Sequence, residues 1–197
     1  KLHARLEAIG MAKPGAELSR DVVSCPGADT CNLAVTQSRG LADAISARLD
    51  EEGLAEIGGI RTNISGCTNS CGQHHIADIG FYGSSRKVGE REVPHYVLLL
   101  GGRTREGEAR FGQVVGRLPA RRVPEAVERI LKRYLEERQN GESFQAYLDR
   151  VGAASFKPLL QELQEVPPYE EAPEFYQDLG AEGEAFSVQL GRGECAV

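Results

Sequence analysis

Apolar and polar positions divide the chain into short elements of alternating type. Leu2, Leu6 and Ile9 recur at helical spacing until Lys13-Pro14-Gly15 interrupts them, which predicts a helical lead-in over residues 1–17. Val22 and Val23 then mark a short strand within Leu18–Ser24 that runs into Cys25-Pro26-Gly27. From Asn32 to about Glu52, Leu33, Leu41, Ile45 and Leu49 share one face while Gln37, Arg39, Asp43 and Arg48 face water, the pattern of an amphipathic helix. Ile57–Ile64 reads as a second strand, ended by Ser65-Gly66-Cys67. Ile76–Tyr82, Pro94–Leu100 and Ala109–Leu118 suggest an antiparallel meander, with turn signals at Gly83-Ser84-Ser85 and Gly101-Gly102. Pro124 suits the first turn of a helix carrying Val127, Ile130, Leu131, Tyr134 and Leu135, and Phe144, Tyr147, Leu148 and Val151 form another.

Two strand-helix units, a meander and closing helices predict an α/β domain with a mixed sheet over residues 18–152. Residues 153–197 read as an acidic C-terminal tail. From Lys157 onward there are nine Asp or Glu residues against Lys157 and Arg192, so the net charge of −6 is concentrated there and the first 156 residues are close to neutral. Pro167-Pro168 and Pro173 add to the expectation of an extended segment that wraps a neighbour or stays disordered. An acidic chain without a Lys/Arg-rich face argues against nucleic acid as a partner. No stretch approaches the roughly 20 apolar residues of a membrane helix, so no membrane partner is expected and the cytoplasm is favoured.

Four of the five cysteines form two close pairs, Cys25 with Cys31 and Cys67 with Cys71, each expected where a strand gives way to a helix. Adjacent parallel strands would bring both turns to their carboxyl ends, the usual ligand position in an open α/β sheet. Four thiolates suit a 4Fe-4S cluster or zinc, and the wider first spacing fits the short pairs of zinc sites poorly. Disulfides, disfavoured in a reducing compartment, and plain core cysteines are the remaining alternatives. Gly27, Gly66 and Gly72 allow close backbone approach, and helix N-termini after Cys31 and Cys71 are expected to aim N–H groups at sulfur. Cys195, near the C-terminus, reads as a free thiol outside the constellation.

The segments SCPGADTC and SGCTNSCGQHHIADIGFYG resemble the cluster signature of the sirohaem-dependent nitrite and sulfite reductases over roughly Leu18–Val151. The resemblance implies a mixed α/β sheet, with Cys25, Cys31, Cys67 and Cys71 carrying a 4Fe-4S cluster. It also implies that Cys71 ligates the sirohaem iron as well, so that electrons pass through its sulfur to a small anion, nitrite or sulfite, in a six-electron reduction. Asn69 matches a position that approaches the sirohaem; a turn residue tolerating an unusual backbone angle is its other reading. For Gln73, His74 and His75, a hydrogen bond to a macrocycle carboxylate or a structural role fits better than iron ligation. Thr68 stands where many members have Pro. The resemblance further implies that an N-terminal half, bearing the basic residues that hold the anion, is missing here, and that a ferredoxin or a flavoprotein reductase supplies electrons. The segment after Cys71 looks somewhat more like the nitrite enzymes. A cluster-bearing electron-transfer or redox-sensing module without sirohaem, and a zinc-stabilised structural domain, are the competing readings.

Overall fold

The computed structural model describes residues 1–12 and 15–188; Cys195 lies outside them. In chain order the elements are α1 (Leu2–Ala8), β1 (Val23–Ser24), α2 (Ser38–Glu51), β2 (Thr62–Ser65), β3 (Ile79–Val88), β4 (Arg91–Leu100), β5 (Gln113–Pro119), α3 (Val123–Glu137), α4 (Phe144–Val151) and α5 (Lys157–Leu160). The five strands form one sheet in sequence order. β1, β2 and β3 run parallel, and β3, β4 and β5 antiparallel. This is the mixed α/β architecture that the patterning predicts.

α2 is the crossover between β1 and β2. Leu41, Ile45 and Leu49 are fully buried on its inner face, against Ile64 of β2 and Ile79 and Phe81 of β3. Burial of each such side chain is worth roughly 1.5–3 kcal/mol, so this stripe fixes α2 on the sheet. α3 packs beside α2 with Val127, Ile130 and Leu131 buried. The pair is pinned at its outer edge by Glu128, which accepts from Arg48 Nε at 2.8 Å and Lys132 Nζ at 2.6 Å. Burial alone would raise the Glu128 carboxyl, but its bonds to Lys132 and Arg48 outweigh that and hold it below the usual range. α4 is capped by Ser143, whose Oγ accepts from Ala146 N at 3.2 Å, and ends at Gly152.

Several local expectations are corrected. The helix read from Asn32 starts only at Ser38, because the Ala34 N–H is taken by the Cys31 carbonyl and those of Val35 and Thr36 by Gly66 of the second cysteine turn. The helix expected after Cys71 is a single 3₁₀ turn, His74–Ile76, since the chain must return at once to begin β3 parallel to β2. Gly83-Ser84-Ser85 lies inside β3, and the reversal falls at Gly89. Gly83 is there for space: a Cβ would strike Thr36 Oγ1 and the Gly66 carbonyl.

The described part of the acidic segment, residues 153–188, packs back on its own sheet. Phe156, Leu160 and Leu163 join the main core, and Ala172, Phe175 and Tyr176 cover Val93 of β4. Charge counting hides these apolar anchors, which are spaced too irregularly to register as an amphipathic element.

Candidate functional site

The two cysteine turns meet because β1 and β2 are parallel neighbours. Ser24 pairs with Ile64, so Cys25 leaves β1 beside the point where Gly66 and Cys67 leave β2. The Gly66 N–H donates to Cys25 Sγ at 3.2 Å, and the Cys25 N–H donates to the Ile64 carbonyl at 3.1 Å. In return the Val35 and Thr36 N–H groups donate to the Gly66 carbonyl at 2.8 and 3.1 Å. Each turn therefore supplies backbone groups that hold the other.

Within the first turn, Gly27–Asp29 forms a 3₁₀ turn and the Cys31 N–H donates to the Gly27 carbonyl at 3.0 Å. Ser38, the first residue of α2, donates from Oγ to the Cys25 carbonyl at 2.7 Å, and the same oxygen lies 3.3 Å from Cys25 Sγ. The C-terminal segment supports this turn from outside: buried Asp178 accepts from the Gln37 N–H at 2.8 Å, just ahead of α2. Burial pushes the Asp178 carboxyl up to about 6 despite its bonds to the Gln37 and Leu179 N–H groups.

The second turn is built differently. Ser70 and Gln73 adopt left-handed backbone, both at φ 60°, whereas Asn69 does not. The unusual backbone angle thus falls on Asn69's neighbours and leaves the role of its side chain open. Gly72 is crowded against β2, where a Cβ would press into the Ile64 carbonyl. Its N–H donates to Ser65 Oγ at 3.0 Å and its carbonyl accepts from Asn63 Nδ2 at 2.8 Å.

Cys25, Cys31 and Cys67 are half-buried, Cys71 is exposed, and all four are free thiols. Burial pushes the Cys67 thiol up, the Asn69 backbone opposes that, and the charges of Cys25, Cys31 and Cys71 push it up further. Among the described residues, no three His, Cys, Asp or Glu side chains are gathered tightly enough to hold a single metal ion. A tetrahedral zinc shell needs its sulfurs at roughly 2.3 Å from one centre, whereas a cluster bound by one thiolate per iron accepts a wider set. The N–H donors around sulfur come from strand ends and turns, not from the helix N-termini expected after Cys31 and Cys71, because neither cysteine is followed directly by an α-helix.

Sequence reading missed the residues that hold the turns. Ser65 and Asn63 are two apart on β2 and face the second turn together. Asp78 is buried and accepts from the Arg61 N–H at 2.8 Å and from Gln145 Nε2, joining the start of β3 to α4. Its signal was available: a lone carboxylate inside the apolar run Ile76–Phe81. Asp178 carried no comparable signal among the other acids of its segment.

Residues 15–167 match the model of the nitrite and sulphite reductase 4Fe-4S domain. The chain belongs to this family. It is 27% identical to sulfite reductase [ferredoxin] 1 of Mycolicibacterium paratuberculosis, over 74% of this chain and 27% of that one. It is 39% identical to the ferredoxin–nitrite reductase of Synechococcus elongatus over 45% of this chain and 17% of that one. The solved structure of the Mycobacterium tuberculosis NirA protein superposes with a TM-score of 0.64 at 27% identity, covering 77% of this chain and 29% of that one. A dissimilatory sulfite reductase, DsrI, shares the fold with a TM-score of 0.53. The chain thus spans less than a third of the length of these two curated relatives. Among the described residues, no helix is long and apolar enough to cross a membrane.

Proposed function

We propose that this family member is the cluster-bearing part of a sirohaem-dependent nitrite or sulfite reductase. Cys25, Cys31, Cys67 and Cys71 would hold its 4Fe-4S cluster. The observation that carries the reading is the reciprocal bonding of the two cysteine turns, Gly66 N–H to Cys25 Sγ and Val35 and Thr36 N–H to the Gly66 carbonyl. These bonds hold side by side, at the carboxyl ends of parallel strands, the two turns that carry the four free thiols. The donor set fits the cluster, since four soft ligands and a backbone N–H aimed at sulfur favour an anionic iron-sulfur centre.

Cys71 is the exposed member of the four and so is open to a group contributed from outside this chain, which supports its assignment as the thiolate shared with the sirohaem iron. Asn69, between Cys67 and Cys71, would face the same group. When bound, the paired centres supply the electrons for reducing a small anion. The chain's own residues fix the sulfur positions, keep Cys25, Cys31 and Cys67 half-buried and leave Cys71 accessible. The remaining length of the relatives supports a further, N-terminal part that holds the anion, and the names of the relatives support a ferredoxin as electron donor, with a flavoprotein reductase as the other reading.

Anaerobic purification tests the metal. Four irons and four sulfides per chain, with the broad absorbance of a cluster, are expected, and one zinc per chain would overturn the reading. In the full-length protein, Cys71→Ser should abolish turnover with both nitrite and sulfite; wild-type rates after that exchange would remove the bridging role. The ratio of steady-state rates on the two anions assigns the substrate.

A further inference from the structure

The Cys67–Cys71 turn ends in a buried chain of hydrogen bonds. Ser65 Oγ accepts the Gly72 N–H at 3.0 Å and lies 2.8 Å from His74 Nδ1. His74 is fully buried, with its ring centroid 4.1 Å from that of His75 and 4.9 Å from that of Tyr82. A serine hydroxyl has one hydrogen to give. Were Nδ1 the donor, Ser65 Oγ would receive two N–H groups and its own hydrogen would have no acceptor among the described residues. The arrangement that leaves fewer groups unpaired runs from Gly72 N–H to Ser65 Oγ, and from the Ser65 O–H to a bare His74 Nδ1. That order places the ring hydrogen on Nε2, which is buried without a protein partner among the described residues. Burial first, and the neighbouring His75 second, lower the ring to about 4, which keeps it neutral.

We propose that Ser65 and His74 are positioning residues for Cys71: this two-step relay, with His74 held in its Nε2–H tautomer, sets the path of the chain immediately after that cysteine. The supporting geometry is local. Gly72 directly follows Cys71, both sides of its peptide are tied to β2, and the left-handed residues Ser70 and Gln73 flank the pair. A turn with two left-handed non-glycine residues is strained unless its surroundings over-determine it. The relay supplies that constraint where no α-helix follows. The consequence for electron transfer rests on Cys71 being a cluster ligand; the relay itself is a property of the protein alone.

Nitrogen NMR of the histidine-labelled protein tests the relay without any cofactor. His74 is expected as the neutral Nε2–H tautomer down to about pH 5; an Nδ1–H tautomer would overturn the proposal. Ser65→Ala should speed hydrogen exchange at the Gly72 amide at least tenfold and Ser65→Thr, which keeps the hydroxyl, should restore it; unchanged Gly72 exchange in Ser65→Ala would also overturn it. In protein carrying the cluster, Ser65→Ala should shift the spin-resonance signal and reduction potential, with Ser65→Thr returning both towards wild type. An unmoved signal and potential would remove the positioning role for Cys71. Failure of the wild-type protein to hold iron would instead sink the cluster reading, leaving the tautomer and exchange results to judge the relay.

Discussion

The two cysteine turns leave neighbouring strands side by side, yet they are secured by different means. The Cys25–Cys31 turn is held from a distance in sequence: by Ser38 at the start of α2, and by Asp178, whose bond to the Gln37 N–H spans most of the chain. The Cys67–Cys71 turn is held by its own strand, through Asn63, Ser65 and the close approach of Gly72 to Ile64. The first turn therefore depends on the packing of the C-terminal segment as well as on α2. The second is a local device that persists as long as β2 stays in the sheet. For the pair of turns to act as one site, both kinds of support must be intact, because the Gly66 peptide joins them.

The largest expected effect comes from overfilling the second turn. Gly72→Ala places a methyl group against a backbone carbonyl that cannot move without disturbing the β2–β3 ladder; a cost of about 3 kcal/mol in urea unfolding is expected, with Cys71 displaced and the first turn largely preserved. Retention of full stability and iron content would show that the second turn is softer than the geometry implies.

Next in size is Asp178→Ala, which leaves the Gln37 N–H without its carboxylate acceptor. A loss of about 1–3 kcal/mol is expected, with hydrogen exchange accelerating at Gln37 while Gly72 stays protected. Equal acceleration at both amides would erase the distinction between the turns.

The pH dependence sharpens the same contrast. The Asp178 carboxyl is raised from 3.8 to about 6, with Arg121 and Glu182 as its charged neighbours. A raised folded-state value favours the fold below the unfolded value, and that contribution fades as pH climbs through about 6, by roughly 2–3 kcal/mol at most. Glu128 works in the opposite direction: its lowered value supplies stability above the unfolded 4.5 that is lost as pH falls. Asp178→Asn should therefore flatten the weakening between pH 4 and 7, and Glu128→Gln should flatten the loss in acid; urea midpoints across that range read both. The smallest effect is expected from Glu162→Ala, whose largely exposed carboxylate pairs with Arg129; a change below about 1 kcal/mol is typical of such pairs.

Much of this architecture is written in local pattern. The 3.6-residue stripes of Leu41, Ile45 and Leu49 and of Val127, Ile130 and Leu131 call for helices that bury one face, and both form. The apolar runs of the meander become β3, β4 and β5, although glycine misleads at Gly83, where it makes room for a crossing chain rather than a turn. The two cysteine turns were legible as candidates too, because their spacing and the small residues around them are a property of the chain itself.

What only the tertiary structure decides is how those cysteines are brought together and kept there. The acidic residues of the C-terminal segment look alike in one dimension; only folding buries Asp178 beneath the first turn and leaves Glu174, Glu182 and Glu184 in water. Ser65 is an unremarkable strand-end serine until Gly72 and His74 close around it. Side-chain periodicity reports which face is apolar, since that depends on nearest neighbours along the chain. Hydrogen bonds between residues far apart in sequence depend on strand register and loop path, which are set only when the sheet assembles.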